Sequence, residues 1–132
     1  MRRLRPAYQV VFALLALAAN GCGSGDSGLA GLWTGAFKDS PAGFGGGSFT
    51  FSETDSVVQG SWQAIFSGQP QYNNSGSLRG TLSGDLLTVQ MTSQNSCVFT
   101  LQATRSGSHL AGSYDSVGCP VPEKGTVDLD RQ

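Results

Sequence analysis

The chain has 132 residues, of which 39% are hydrophobic, only 13% are charged and 19 are glycine. This length predicts one domain and excludes two, and the glycine share is typical of a turn-rich all-β protein, not of a helical bundle or a coiled coil. The formal net charge of −1 argues against a nucleic-acid partner, since such binding depends on several basic side chains that face phosphates.

The start of the chain has the pattern of an export signal. Three arginines within the first five residues precede an apolar run from Val10 to Ala19. This run is too short to cross a bilayer, which indicates a signal peptide and not a membrane helix. The next residues, Ala19-Asn20-Gly21-Cys22, resemble the lipobox of bacterial lipoproteins, in which the cysteine becomes the lipid-modified first residue of the mature chain. An ordinary cleaved secretion signal with an incidental cysteine is the alternative.

The lipoprotein resemblance implies a domain organisation and a location. It implies a signal peptide over 1–21 and a membrane anchor through a lipid on Cys22. The Gly/Ser-rich stretch over 22–29 is then a flexible tether, and the folded domain, which the strand pattern below predicts to be a barrel, spans 30–132. The expected location is the bacterial cell envelope, and the absence of an acidic residue directly after Cys22 favours the outer membrane where there is one. Residues 22–132 keep five basic and nine acidic side chains, a net charge of −4, which again argues against nucleic acid.

Eight segments alternate apolar and polar residues between turn residues, which predicts eight β-strands. They lie at about 31–38, 47–53, 57–66, 78–82, 85–92, 97–104, 109–115 and 125–129. No segment shows a helical stripe, and an even number of short strands in succession can close without an exposed edge. The predicted fold is therefore all-β, an eight-stranded antiparallel up-and-down β-barrel that follows an N-terminal signal peptide.

Four of these strands place a glycine two residues from a large apolar side chain on the same face. The glycines are Gly35, Gly60, Gly80 and Gly112. A glycine inside a strand weakens it unless it permits a bend or a close approach, and a narrow barrel needs both. We interpret these glycines as structural.

The connections between the predicted strands alternate between the two ends of the barrel. The longer ones, over 39–46, 67–75, 93–96 and 116–124, share one end, and the chain enters its first strand at the other end. The tether would therefore turn the end with the long loops away from the membrane. Loops on a rigid scaffold commonly carry binding residues. The candidate binding residues on this rim are Phe44, Tyr72, Asn73, Asn74, Pro120 and Glu123.

The cysteine count predicts a disulfide. If Cys22 carries a lipid, Cys97 and Cys119 form an even pair in an oxidising compartment. A hairpin that turns near Ser106 brings these two cysteines close together. A redox-active or metal-binding pair is the alternative, but the spacing is not CxxC and no histidine lies nearby in the sequence. No metal and no cofactor are expected.

The two ends of the domain resemble the calycin arrangement of lipocalins, avidin-like proteins and bacterial metalloprotease inhibitors. The resemblance rests on Gly31-Leu32-Trp33 at the first strand and on Arg131 at the end of the last. It implies that Trp33 plugs the closed end of the barrel and that Arg131 packs over the indole ring. A guanidinium over an indole is favourable by roughly 0.5 to 2 kcal/mol.

The predicted function is that of a non-catalytic binding module that uses the long-loop rim for a partner protein. One alternative is an inhibitor of an envelope or secreted hydrolase, a lysozyme or a protease, through the proline-stiffened loop Cys119–Glu123. Another is a carrier of a small apolar ligand in the barrel. An enzyme is not expected, because His109 is the only histidine and lies at the short-turn end. A monomer is favoured.

Overall fold

Eight antiparallel strands close into an up-and-down barrel in the computed structural model of this chain, which describes residues 28–132. Each strand pairs with its neighbours in sequence, and the first pairs with the last. The strands are β1 (Gly31–Ser40), β2 (Gly43–Thr54), β3 (Val57–Ile65), β4 (Asn74–Ser83), β5 (Leu86–Ser93), β6 (Val98–Ser106), β7 (His109–Val117) and β8 (Lys124–Arg131). The predicted fold class is confirmed, and the barrel is consistent with the calycin resemblance.

The N-terminal predictions concern residues that the structure does not describe. The signal peptide, the lipid on Cys22 and all but the last two residues of the tether lie outside residues 28–132. They stay predictions. Within the described residues, no helix has the length and apolar character needed to span a membrane.

The barrel interior is filled by the faces that the period-2 pattern predicts. Trp33, Phe49, Leu101 and Leu129 are completely buried, and the other predicted inward side chains of all eight strands join them in one core. A slip of one residue in any strand would turn its apolar set outward. The predicted inward faces are therefore confirmed throughout the barrel.

The connection between β1 and β2 differs from the prediction. The predicted loop over 39–46 is wrong, because both strands continue and only Pro41 and Ala42 join them. The turn is closed by Asp39, whose Oδ1 accepts the N–H of Ala42 at 2.9 Å. The glycines of this stretch hide its strand character in the sequence, since they carry no side chain that shows alternation. Phe44 consequently lies in β2 and not in a loop, with 76% of its surface exposed.

The remaining connections divide by length between the two ends. Residues 55–56, 84–85 and 107–108 form two-residue hairpin turns at one end, which we call the closed end. The longer segments 66–73, 94–97 and 118–123 lie with the β1–β2 turn at the other end, which we call the open rim. The first described residues precede β1 and therefore lie at the closed end.

The closed end is sealed around Trp33. Its indole N–H donates to the carbonyl oxygen of Leu29 at 2.9 Å, and the guanidinium carbon of Arg131 lies 4.9 Å from the centre of the ring system. Arg131 also donates to the carbonyl oxygens of Ala30, at 2.9 Å, and Gly28. The segment before β1 is thus held across the base of the barrel by one arginine and one tryptophan.

Gly60 provides a test of the close packing between neighbouring strands. A Cβ atom on Gly60 would overlap the backbone carbonyl oxygen of Thr50 on β2, whereas a Cβ on Gly68, in the segment after β3, meets only open space. We expect Gly60→Ala to lower the free energy of unfolding by more than about 1 kcal/mol, because the backbone must shift to admit the methyl group. Gly68→Ala should stay within about 0.5 kcal/mol of the wild type. Urea denaturation measures both, and equal stabilities would contradict the close approach.

Candidate binding site at the open rim

Polar residues meet the apolar interior of the barrel just inside the open rim. A cavity of about 20 Å³ lies at this point. Its surface is almost entirely apolar, and four polar residues, Asp39, Asn74, Tyr114 and Glu123, stand around it. We call this cavity with its four polar residues the mouth.

Aromatic rings form the floor of the mouth. The ring of Phe99 makes edge-to-face contacts with Trp62 and Tyr114, with centroid distances of 5.8 Å in both pairs. Phe37 lies against Tyr114 and Phe66 in the same layer. Such arrangements stabilise a fixed geometry beyond the area they bury. The polar groups of the mouth therefore face a rigid π-rich surface.

Asp39 is the most deeply buried carboxyl group of the mouth, with 6% of its surface exposed. Its Oδ2 accepts the hydroxyl proton of Tyr114 at 2.5 Å, and its Oδ1 accepts the turn N–H of Ala42. Burial raises the pKa of Tyr114 well above its ordinary value, and the bond to Asp39 raises it further. Tyr114 therefore remains a protonated donor at every physiological pH.

Glu123 brings a second carboxyl group to the same point. Burial raises the pKa of Glu123 from 4.5 to about 7, and the charge of Asp39 and a hydrogen bond to it act in the same direction. The backbone of Glu123 is fixed, because its N–H donates to Ser116 Oγ and its carbonyl oxygen accepts the Ser116 N–H, both at 2.8 Å. The carboxyl group of Glu123 therefore loses its proton near neutral pH.

Neither carboxyl group of this pair forms an ion pair with a basic side chain of residues 28–132. The ion pairs among residues 28–132 join Arg105 to Asp85 and His109 to two aspartates at the closed end. None of them includes Asp39 or Glu123. Lys38 and Lys124 are the sequence neighbours of Asp39 and Glu123, and both are exposed on the outer face of their strands. The ammonium of Lys38 lies 5.5 Å from the ring centre of Phe44.

A shallow groove of about 150 Å³ runs beside the mouth, between the segment after β3 and the loop 118–123. Five of the six predicted rim residues line this groove: Tyr72, Asn73, Asn74, Pro120 and Glu123. The sixth, Phe44, does not, because it lies on the outer face of β2. Asn74 and Glu123 line both the groove and the mouth, so the two form one continuous concave surface. Whether these residues bind a partner stays a prediction.

One wall of the groove is a short 3₁₀ turn, Pro70–Tyr72, held by its own hydrogen bonds. The amide oxygen of Asn73 accepts the Phe66 N–H at 2.6 Å, which closes the segment onto the end of β3. Gln69 Nε2 reaches the carbonyl oxygen of Pro41 in the neighbouring turn at 3.0 Å. The ring of Tyr72 is thereby packed against the core as well as facing the groove.

The other wall is stiffened by the predicted disulfide between Cys97 and Cys119, which is confirmed, with a Cα–Cα distance of 4.8 Å. The register of β6 and β7 pairs Val98 with Val117 and so brings the two cysteines together. With the disulfide at one end and the two Ser116–Glu123 hydrogen bonds at the other, the loop is tied at both ends. Val121 stands at its middle with 49% of its surface exposed.

Asp39 and Tyr114 are the residues of this site that the sequence patterns do not single out. Asp39 falls inside the wrongly predicted loop, and Tyr114 falls among the core residues. A signal for Asp39 is present, because it continues the inward face of Phe37 by one further step of two residues. For Tyr114 the signal is its hydroxyl, which requires a partner when buried.

His109 lies at the closed end, away from the mouth. Its ring nitrogens lie 3.1 Å from Asp128 Oδ1 and 3.0 Å from Asp130 Oδ1 on the outer face. The hydrogen bond to Asp130 raises the pKa of His109. In the portion of the chain that the structure describes, no group of three or more histidine, cysteine or acidic side chains is arranged to hold a metal ion.

No protein-family model matches this chain, and no curated protein is significantly similar to it in sequence. Its function is therefore argued from the geometry of the open rim.

The raised pKa of Glu123 predicts a pH dependence of stability. The folded protein holds the Glu123 proton more tightly than the unfolded chain does, so the stability that this proton contributes is complete below about pH 4.5 and is lost as the pH rises through about 7. We expect Glu123→Gln to flatten the loss of unfolding free energy over this range. Asp115→Asn, on the outer face of the same rim, should keep the wild-type slope. Urea denaturation at several pH values measures this loss, and parallel curves for Glu123→Gln and wild type would contradict the raised pKa of Glu123.

Proposed function

We propose that this protein is an exported, lipid-anchored binding module that takes a partner protein at its open rim and catalyses no reaction. The observation that carries the proposal is the gathering of five predicted rim residues around one groove that continues into the mouth. Aromatic, amide and proline groups on rigid segments lose little conformational entropy when a partner binds. A small β-barrel fits a binding module in general.

The direction of the chain supports this arrangement. Gly28 lies at the closed end, where Arg131 binds its carbonyl oxygen. A tether over 22–29 leaves the barrel at that end, so a lipid on Cys22 turns the open rim toward the surrounding space. The binding surface is then the part of the molecule most accessible to another protein.

The volume of the interior argues against carriage of an apolar ligand within the barrel. Sites for drug-sized molecules are typically about 300 to 1,000 Å³. The cavity at the mouth measures about 20 Å³, close to the space of one water molecule. Trp33, Phe49 and Leu101 fill the layers below it. This leaves a partner outside the barrel as the better-supported reading.

Inhibition of a hydrolase is the second candidate function, and the loop Cys119–Glu123 favours it. The loop is tied at both ends, carries Pro120 and Pro122, and presents the half-exposed side chain of Val121 between them. A loop that enters an active site must be stiff and must offer a side chain at its tip. In this reading the loop itself, and not the groove beside it, contacts the partner.

The anchor is tested by Cys22→Ser. This variant has no thiol for the lipid, so we expect the protein to move from the membrane fraction to the soluble fraction of the cells that produce it. Cell fractionation followed by immunoblotting measures the distribution. Cys119→Ser, which removes a different thiol, is the control and should remain with the membrane. Retention of Cys22→Ser in the membrane fraction would contradict the lipoprotein proposal.

The position of the partner is tested by photo-crosslinking from one of two exposed aliphatic residues. Val121 at the open rim and Leu86 at the closed end are 49% and 47% exposed, so they are matched in accessibility. We expect a benzophenone side chain at position 121 to give a discrete crosslinked protein and the same group at position 86 to give none. Mass spectrometry then identifies the partner.

The identity of the crosslinked protein separates the two candidate functions. A hydrolase whose activity falls when the purified chain is added, and recovers with Val121→Asp, would establish the inhibitor. A partner that has no hydrolase activity would establish the binding module alone. Equal crosslinking from positions 86 and 121 would contradict a rim site.

A further inference from the structure

We infer that the mouth is a receptor for a single alkylammonium group, which binds against the carboxyl groups of Asp39 and Glu123 and over the aromatic floor. This inference deepens the proposed rim site and rests on it, since it gives the chemistry that the open end recognises. It follows from the shape, lining and charge of one cavity. The ammonium group comes either from a small free amine or from a lysine side chain of the partner protein.

The first step of the argument is the size of the cavity. A volume of about 20 Å³ accommodates a group the size of a water molecule and excludes a bulky ligand. The terminal ammonium of an unbranched chain has this size, and its methylene chain can leave the mouth along the groove. A quaternary ammonium, with four carbon substituents, is too large to enter.

The second step is the composition of the walls. The rings of Trp62, Phe99 and Phe66 line the cavity, and aromatic faces attract a cation through their quadrupole. Met91 adds a polarisable sulfur to the same floor. Aromatic walls with carboxylates at the rim are a combination that favours a positive charge attached to an apolar chain.

The third step is the charge of the mouth. Two carboxyl groups share one cavity, and among residues 28–132 no lysine, arginine or histidine forms an ion pair with either of them. Asp39 accepts hydrogen bonds from the Tyr114 hydroxyl and the Ala42 N–H, and both of these donors are neutral. An incoming ammonium group would displace the proton of Glu123 to the solvent and bring a positive charge in its place.

This exchange makes binding depend on pH. The titratable groups that face Glu123 are Asp39 from β1, Tyr114 from β7 and Tyr72 from the segment after β3. The neighbouring cysteines form a disulfide, and Lys38, Asp115 and Lys124 belong to the outer face of the rim. Because the proton must leave for the cation to bind, the affinity for an ammonium group should rise with pH.

The experiment uses the purified ¹⁵N-labelled chain and n-butylammonium chloride as the probe. The two tryptophans report on opposite ends, because Trp62 lines the mouth and Trp33 lies buried at the closed end. We expect a saturable shift of the Trp62 indole N–H signal and none of Trp33. The dissociation constant should be at least about tenfold lower at pH 8 than at pH 5.5. n-Butanol, which has the same chain without the charge, and tetramethylammonium, which is too large, should leave Trp62 unchanged.

Matched variants tie the binding to the carboxyl pair. Glu123→Gln keeps the size of the side chain but removes one charge, so it should weaken butylammonium binding at pH 8 about tenfold and abolish the rise with pH. Asp115→Asn removes one charge from the outer face and should bind like the wild type. An unchanged Trp33 signal verifies that each variant is folded. Equal shifts with n-butanol, wild-type binding by Glu123→Gln, or no saturable shift at all would overturn the inference.

The two sources of the ammonium group give different results when crosslinking from position 121 is repeated with butylammonium present. Loss of the crosslinked partner would show that a lysine of the partner occupies the mouth. Unchanged crosslinking together with butylammonium binding would assign the mouth to a free amine. Failure of butylammonium binding with a persistent crosslink would remove the ammonium receptor and leave the rim site intact, so the two proposals fail separately.

Discussion

The pairing of β1 with β8 is the contact on which both ends of this molecule depend. It joins the first strand of the domain to the last, and its register sets Trp33 opposite Arg131 at one end and Asp39 opposite Gly125 at the other. Arg131 then reaches the indole of Trp33, and Glu123, two residues before Gly125, reaches Asp39. One register therefore produces a sealed base and a polar mouth. A shift of this register by two residues would keep the core face inward but separate both pairs.

Most of the fold can be predicted from the sequence, because it is determined by patterns among residues that are close together in the chain. Alternation with a period of two marks the inward face of each strand, and two-residue turns such as Asp55-Ser56 mark the closed end. The disulfide follows from the hairpin between β6 and β7. The ends of β1 and β2 at this turn cannot be predicted in the same way, because the glycines at positions 43 and 45–47 carry no side chain that shows which face they occupy. Their place in the barrel is decided by the rings of Phe37 and Phe66, which occupy the space beside Gly47 and Gly45.

The candidate site was predictable only in part, for a related reason. Tyr72 and Pro120 could be predicted as rim residues from their residue types and loop positions, and both line one groove. The partnership of Asp39 with Glu123 joins residues 84 positions apart, and it exists only after the barrel has closed. No local pattern encodes such a pair. Asp39 looks like an ordinary turn residue until its strand is seen to continue to the rim.

A carboxyl group at the top of a barrel interior works against the stability of the fold, since a buried charge loses its hydration. Asp39 is buried in this way, and an apolar side chain at position 39 would extend the core and avoid this cost. The protein instead surrounds Asp39 and Glu123 with elements that keep them rigid: the Asp39–Ala42 turn, the Tyr114 hydrogen bond, the Ser116–Glu123 hydrogen bonds and the disulfide. Rigid support around a group that is unfavourable for folding is what a recognition site requires, because the carboxylates are then already in place before a cation arrives. The domain is small, but its interior below the mouth is filled by packed apolar side chains, which stabilise the fold. The residues at the open rim are therefore free to serve binding.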